Sequence, residues 1–149
     1  MKKLIIKIKI KEDAKDLPLP RYMTAGASGM DLYADVDKEL VLVPGKIRLV
    51  SCGIYLSIPE GYEAEVRPRS GLALKHGITL VNTPGTIDSD YRGLVSLIMI
   101  NLGDTPFNIR RGDRVAQLVI KEVIKASLVE TGNLDETVRS SGGFGHSGA

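Results

Sequence analysis

The side chains best equipped for chemistry crowd one stretch, Asn82-Thr83-Pro84-Gly85-Thr86-Ile87-Asp88-Ser89-Asp90-Tyr91-Arg92-Gly93. It lies between a short apolar run (Ile78, Leu80, Val81) and a long one from Leu94 to Leu102. Pro-Gly between two apolar runs predicts a β-hairpin. Asp88 is the candidate general base, because a carboxylate can take a proton from water as the water attacks phosphorus. Tyr91 is either a core tyrosine with a satisfied hydroxyl or a ring that lies against a ligand. A polar turn with no ligand remains the bland alternative, since turns commonly carry Asp, Ser and Gly.

Two further segments carry groups suited to an anion. Arg67-Pro68-Arg69-Ser70-Gly71 leads into the one plausible helix, which Ser70 is expected to cap and Gly77 to end. Free backbone N–H groups at the helix start, with Arg69 beside them, suit phosphate oxygens. A capped surface helix with a solvated arginine fits the same residues. Arg111-Gly112-Asp113-Arg114-Val115-Ala116-Gln117 places an amide, Gln117, on an apolar strand, where its donors and acceptors need partners. Asp113 and Arg114 are expected to form an internal ion pair that shapes the turn.

The elements that must hold these groups read as β. Ile6, Ile8 and Ile10 alternate with Lys7, Lys9 and Lys11, predicting a strand with one buried and one wet face. The same lysines argue against a signal peptide at Met1 to Ile6. Leu17-Pro18-Leu19-Pro20 breaks pairing, and small residues from Ala25 lead through Asp31 into a strand. Val41-Leu42-Val43 ends at Pro44-Gly45. Residues 47–58 and 62–66 read as strands, Leu94 to Leu102 as a strand covered on both faces, and Val115 to Val129 as the last strands. Short strands punctuated by Gly and Pro, with at most one short helix, predict an all-β fold, a jelly-roll-like barrel. Residues 1–137 are expected to form that barrel. Residues 138–149 form a glycine-rich tail, either disordered or a lid that closes on an anionic, ring-bearing ligand.

Composition narrows the classes of function. A chain of 149 residues is enough for one domain with a substantial core. A net charge of +2 gives no nucleic-acid footprint, and no segment approaches membrane-spanning length. A single cysteine, Cys52, excludes an internal disulfide and suits a reducing, cytoplasmic compartment. His76 and His146, without a second cysteine, make no zinc site.

Taken in order, the stretch ending at Asp31, the Arg69 segment, the central hairpin, the Gln117 segment and the tail resemble the five motifs of the trimeric dUTPases. The resemblance runs from Ala25 to the end of the chain. It implies a homotrimer with sites built from neighbouring chains, no nucleic acid or membrane partner, and hydrolysis of dUTP to dUMP and pyrophosphate with Mg2+. By that resemblance Arg69, Ser70, Gly71 and Gln117 hold the triphosphate, and Asp88 activates water and meets the sugar 3′-hydroxyl. Tyr91 then lies against the deoxyribose, leaving no room for a 2′-hydroxyl. Asn82, Gly85 and Ile87 build the uracil pocket. Asp31 stands near magnesium through water, or is a structural carboxylate pairing an arginine. In the tail Arg139 meets the γ-phosphate and Phe144 stacks on uracil, with Gly145 and Ser147 completing the motif. His146 departs from the family pattern of two hydroxyl residues after Phe-Gly. The related dCTP deaminases carry a glutamate and usually a tryptophan after the Ile-Asp of the central motif. This chain has neither from Pro84 to Asp104. A binding module without turnover and a purely structural β trimer are the rivals from other classes.

Overall fold

Glycine and proline cut the chain into short strands, and the strands pair antiparallel into two four-stranded sheets. The structure is a computed structural model and describes residues 4–143. In chain order the elements are β1 (Lys7–Ile10), a 3-10 turn (Glu12–Ala14), β2 (Gly29–Tyr33), β3 (Leu40–Leu42), β4 (Ile47–Ser57) and β5 (Tyr62–Arg67). There follow α1 (Ser70–His76), β6 (Ile78–Leu80), β7 (Gly85–Ile87), β8 (Leu94–Asn101), β9 (Phe107–Ile109) and β10 (Arg114–Glu122). One sheet runs β1-β4-β8-β6 and the other β2-β10-β5-β7, while β3 and β9 form a separate pair. Alternate residues of the two large sheets meet in one core. Val50, Leu97 and Met99 from the first join Leu32, Ala64, Val66 and Leu118 from the second. The architecture is all-β and jelly-roll-like, with α1 as its single α-helix among the described residues.

Asn101 closes the end of β8 without a buried vacancy in its hydrogen bonding. Its amide donates to the carbonyls of Leu42 and Thr105, both at 2.8 Å, and its Oδ1 accepts from the Gly103 N–H at 2.8 Å. A fully buried amide is tolerated because every group on it is partnered.

Several expectations need correction. β8 is fully covered on one face only: Val95, Leu97 and Met99 are buried, whereas on the other Leu94, Ser96 and Ile100 are half-buried and Ile98 is exposed beside the still more exposed Leu49 opposite it. The isoleucine face of β1 is only partly covered, with Ile8 exposed, because β1 is an edge strand. β10 stops at Glu122, not Val129. Beyond it Ile124, Leu128 and Val129 are almost wholly exposed, since no strand among the described residues pairs with them. At α1, Arg69 is the cap position and Ser70 the first helical residue, with no side-chain capping bond. Gly77 ends the helix as expected. It adopts a left-handed φ of 66°, which glycine reaches without steric cost, and its N–H bonds back to the last turn.

Candidate active site

Four predicted segments supply two clusters, and β5 connects them. Pro68 offers no N–H to the ladder, so β5 ends at Arg67 and the chain turns into α1 with Arg69 at the bend. There Arg69 Nε meets Asp31 Oδ1 at 3.0 Å, and Arg114 Nη1 meets Asp31 Oδ2 at 3.3 Å. Arg69 Nη1 also donates to the Arg114 carbonyl at 3.1 Å. Gln117, opposite Asp31 on β2 and Arg67 on β5, donates from Nε2 to the Pro68 carbonyl at 2.9 Å. Its side chain lies over Gly29, where a Cβ would stand 2.4 Å from Gln117 Oε1, so any larger residue there would have to displace the Gln117 amide. Arg67 turns instead to Glu65, which also takes Lys121. The Arg67 hydrogen bond holds the Glu65 carboxyl below the usual range despite its burial.

Two arginines of five donors each share one carboxylate here, so N–H groups remain for a second anion. Ser70 and Gly71 lie exposed beside them, their N–H groups in the first turn, where helices have no internal acceptor. Asp31 thus pairs with both arginines. Among the described residues no three His, Cys, Asp or Glu side chains gather as a metal site. The site therefore fits a magnesium ion brought by a triphosphate, with water between ion and protein, and not an ion caged by the protein.

The second cluster is the hairpin. β7 pairs with β5 through Ala64↔Ile87 and Val66↔Gly85, and the Thr83–Pro84 peptide is cis. A narrow cavity of about 60 Å3 opens between Asn82, Gly85, Ile87, Val66, Leu80 and Ser96. Asp88 follows at the mouth of a second, wider hollow of about 580 Å3, shared with Glu60, Glu63, Asp90 and Lys125. The loop is stiffened from within: the Tyr91 N–H donates to the Asp88 carbonyl at 3.1 Å, and Arg92 donates to the Ser89 and Tyr91 carbonyls at 2.7 and 2.9 Å. Tyr91 is not a core tyrosine. It is 46% exposed, with its hydroxyl on the Leu94 carbonyl at 3.3 Å.

Asp88 does not meet the arginine cluster. Continuing the Ala64↔Ile87 register puts Asp88 beside Glu63, and Arg69 lies six residues further along the chain. Four of those steps are extended strand, as far as Arg67, and the last two pass through Pro68 into the bend, so the separation is at most about 20 Å. Asp31, Arg69, Arg114 and Gln117 of one chain are brought together; Asp88 is held at the other end of β5, while Asn82 and Gly85 lie by Val66, toward the arginine end.

The remaining expectations divide. Arg139 is exposed and donates to the Gly142 carbonyl at 2.8 Å. Phe144, Gly145, His146 and Ser147 lie outside the described residues. Asp113 and Arg114 do not pair with each other: Asp113 Oδ2 accepts from the Arg110 N–H at 2.8 Å, and Arg114 reaches across to Asp31. Arg114 is accordingly a site residue that the sequence argument assigned to the turn. Ser96 was missed as well. The signal was a lone hydroxyl early in an otherwise apolar run. Cys52 is no nucleophile, because burial pushes its thiol up to about 12.

A β fold that gathers two arginines and an amide on one carboxylate, with a small polar cavity by Val66 and an acidic loop beyond Glu63, carries groups suited to a small anionic ligand. Comparison with known proteins gives the family. The dUTPase family model matches residues 15–148. A deoxyuridine 5′-triphosphate nucleotidohydrolase of Thermoanaerobacter sp. (strain X514) is 58% identical over 145 residues, 97% of this chain and 98% of the relative. The dUTPase of Staphylococcus bacteriophage 80alpha, solved with dUPNHPP, superposes with a TM-score of 0.85 at 22% identity, covering 97% of this chain and 99% of that one. A dUTPase from phage phi11 of S. aureus, whose structure details the coordination of a structural Mg(II) ion, superposes with a TM-score of 0.76 at 21% identity, covering 87% of this chain and 97% of that one. The chain belongs to the dUTPase family.

Proposed function

We propose that this chain hydrolyses dUTP to dUMP and pyrophosphate, lowering dUTP and supplying dUMP for thymidylate synthesis, in sites that two or more copies complete together. The family membership supports the reaction. The observation that carries the shared site is the register that sets Asp88 beside Glu63, at the opposite end of β5 from the Arg69 bend, so that one chain does not bring both to one α-phosphate.

In this reading Asn82 and the Gly85–Ile87 backbone read the uracil edge, and buried polar groups left unpaired by cytosine make that discrimination large. Tyr91, half-exposed beside Asp88, packs on the deoxyribose. Asp88 takes the proton of a water whose oxygen bonds to the α-phosphorus, while the bond from that phosphorus to the bridging oxygen breaks and the electrons leave with pyrophosphate. Arg69, Ser70, Gly71, Gln117 and Arg114, from a neighbouring copy, neutralise charge on the leaving group. Asp31 holds both arginines in place, and Mg2+ brought with the triphosphate would meet it through water. The ion supplies additional charge neutralisation on the phosphates. Residues 1–137 form the catalytic barrel and 138–149 a lid, with Arg139 on the γ-phosphate, Phe144 over uracil, and Gly145 and Ser147 along the phosphates. His146 stands where a family hydroxyl would be.

A homotrimer is the assembly that supplies these neighbours. The exposed apolar face of Leu49, Ile98 and Val81, and the bare side chains of Ile124, Leu128 and Leu134, support it as surfaces that another copy would cover. No helix among the described residues is long and apolar enough to cross a membrane. The single buried thiol agrees with a reducing, cytoplasmic setting.

The test is pyrophosphate release from dUTP, dTTP, dCTP and UTP, with and without Mg2+. Only dUTP is expected to turn over. Asp88→Asn is expected to lose about 10²–10⁴-fold in kcat while still binding dUTP, the range that removal of a general base costs. Near-normal kcat in that variant would remove Asp88 from the role.

A further inference from the structure

The most heavily bonded charge cluster of the molecule lies outside both halves of the site. The Asp35 side chain is 1% exposed and accepts from Arg111 Nη1 at 2.7 Å, Ser51 Oγ at 2.9 Å and Lys11 Nζ at 3.1 Å. Arg111 continues outward to both oxygens of Asp16, at 2.9 and 2.7 Å, and to the Asp13 carbonyl at 2.5 Å. One guanidinium therefore ties the 3-10 turn, the exit of β2 and the turn between β9 and β10. Burial alone would push the Asp35 carboxyl up, but the bonds from Lys11, Arg111 and Ser51 together hold it below its ordinary value.

Stability does not require such a cluster. A well-packed apolar pair commonly serves a core as well as a buried ion pair, or better. What this cluster can do is fix geometry. Asp35 lies four residues after Asp31, and Arg111 three before Arg114. Between them β2 and β10 pair with a register shift: Arg114↔Tyr33, then Ala116↔Leu32 and Gln117↔Asp31. At an irregularity of this kind the pairing is able to slip, and a slip of one residue turns every following side chain to the other face. Two backbone bonds pin the turn beside the cluster, from the Ala34 N–H to the Asp113 carbonyl at 2.8 Å and from the Gly112 N–H to the Ala34 carbonyl at 2.9 Å.

We propose that Asp35 and Arg111 are positioning residues: their buried pair sets the register of β10 on β2 and so holds Arg114 and Gln117 against Asp31 in the phosphate half of the site. The inference rests on the phosphate-binding role given to those residues above. Neither Asp35 nor Arg111 touches substrate.

The clamp lies by the phosphate half and makes no bond to the hairpin, so its loss separates two inhibitors of dUTP turnover. In the full-length protein, Asp35→Asn is expected to lower kcat/KM for dUTP by about 10²-fold, as small displacements in a reaction site do. Inhibition by inorganic pyrophosphate weakens with it, while inhibition by deoxyuridine stays within about twofold, since the uracil-side contacts, and with them its binding free energy, are unchanged. Asp35→Leu with Arg111→Met guards against simple unfolding, because it leaves neither partner as an unpaired buried charge. This double variant is expected to keep the wild-type Tm and still show the weakened pyrophosphate inhibition. Wild-type pyrophosphate inhibition in the double variant would overturn the proposal. Equal weakening of both inhibitors would overturn it too, by marking a general loss of structure. If the wild-type protein itself fails to turn over dUTP, the phosphate-site reading falls first and the clamp's role with it.

Discussion

Separated half-sites make a quantitative prediction about mixed assemblies. Asp88→Asn removes the hairpin half and Arg69→Ala the phosphate half, and each variant alone is expected to be nearly inactive. In one chain the two positions lie six residues apart, four of them along β5 and two through the bend, at most about 20 Å. In a closed ring of three, each site would join the Asp88 of one copy to the Arg69 of its neighbour. Co-refolding the two variants in equal amounts gives each half a one-in-two chance of being intact, so about one quarter of sites regain both. Against a parent reduced about 10²-fold or more, that recovery stands at least about 25-fold above background. The assay is pyrophosphate release from dUTP before and after joint denaturation and refolding, with each variant refolded alone as control. If the mixture shows only the mean of its parents, both halves belong to one chain and the reasoning from the β5 register is wrong.

Removing residues 139–149 is expected to cost catalysis far more than folding, since the described part of that segment is largely exposed and bonds mainly within itself. Thermal melting should barely move while dUTP turnover falls steeply, and full activity in the truncated chain would remove the lid. Asn101→Ala should do the reverse. It strands the buried Leu42 carbonyl and removes the part-buried bonds to the Thr105 carbonyl and the Gly103 N–H, so at about 1–3 kcal/mol for a buried group left unpaired it should destabilise by about 1–3 kcal/mol in urea unfolding.

What the sequence revealed and what it hid divide along physical lines. The Pro44-Gly45 turn and the end of α1 at Gly77 follow from local backbone rules and stand where the residues alone put them. The central stretch is not the simple hairpin expected: β6 and β8 do pair, but between them Gly85–Ile87 crosses to the other sheet as β7 and pairs with β5. The site residues were found as members of short motifs. Their pairing was not. Arg114 was assigned to its nearest acid, Asp113, yet it reaches Asp31, because strand register and not sequence proximity decides which charges meet. The same holds for Asp35, whose partners Lys11, Ser51 and Arg111 come from three other segments and show no periodicity that a local pattern could report. Ser70 failed as a cap for a different reason. The chain enters α1 one residue earlier than the capping preference implied, and Arg69 takes the extended conformation there.

The misjudged coverage of β8 carries more information than a correct one would have. An apolar run from Leu94 to Leu102 asks for protection on both faces, since leaving large aliphatic side chains in water forfeits about 1.5–3 kcal/mol each. The chain itself fully protects only the side bearing Val95, Leu97 and Met99. On the other side Ile98 faces solvent with Leu49 across from it, and the Val81 N–H bonds to the Ile98 carbonyl at 2.9 Å, so the three form one patch. That patch is an energetic demand for a neighbour, made without reference to any reaction. The distance between Asp88 and Arg69 is a chemical demand for a neighbour, made without reference to stability. A monomeric enzyme would have to leave both unmet, whereas one packed assembly of like chains answers them together. This is why the proposed trimer belongs to the mechanism and is not merely a way of hiding apolar surface.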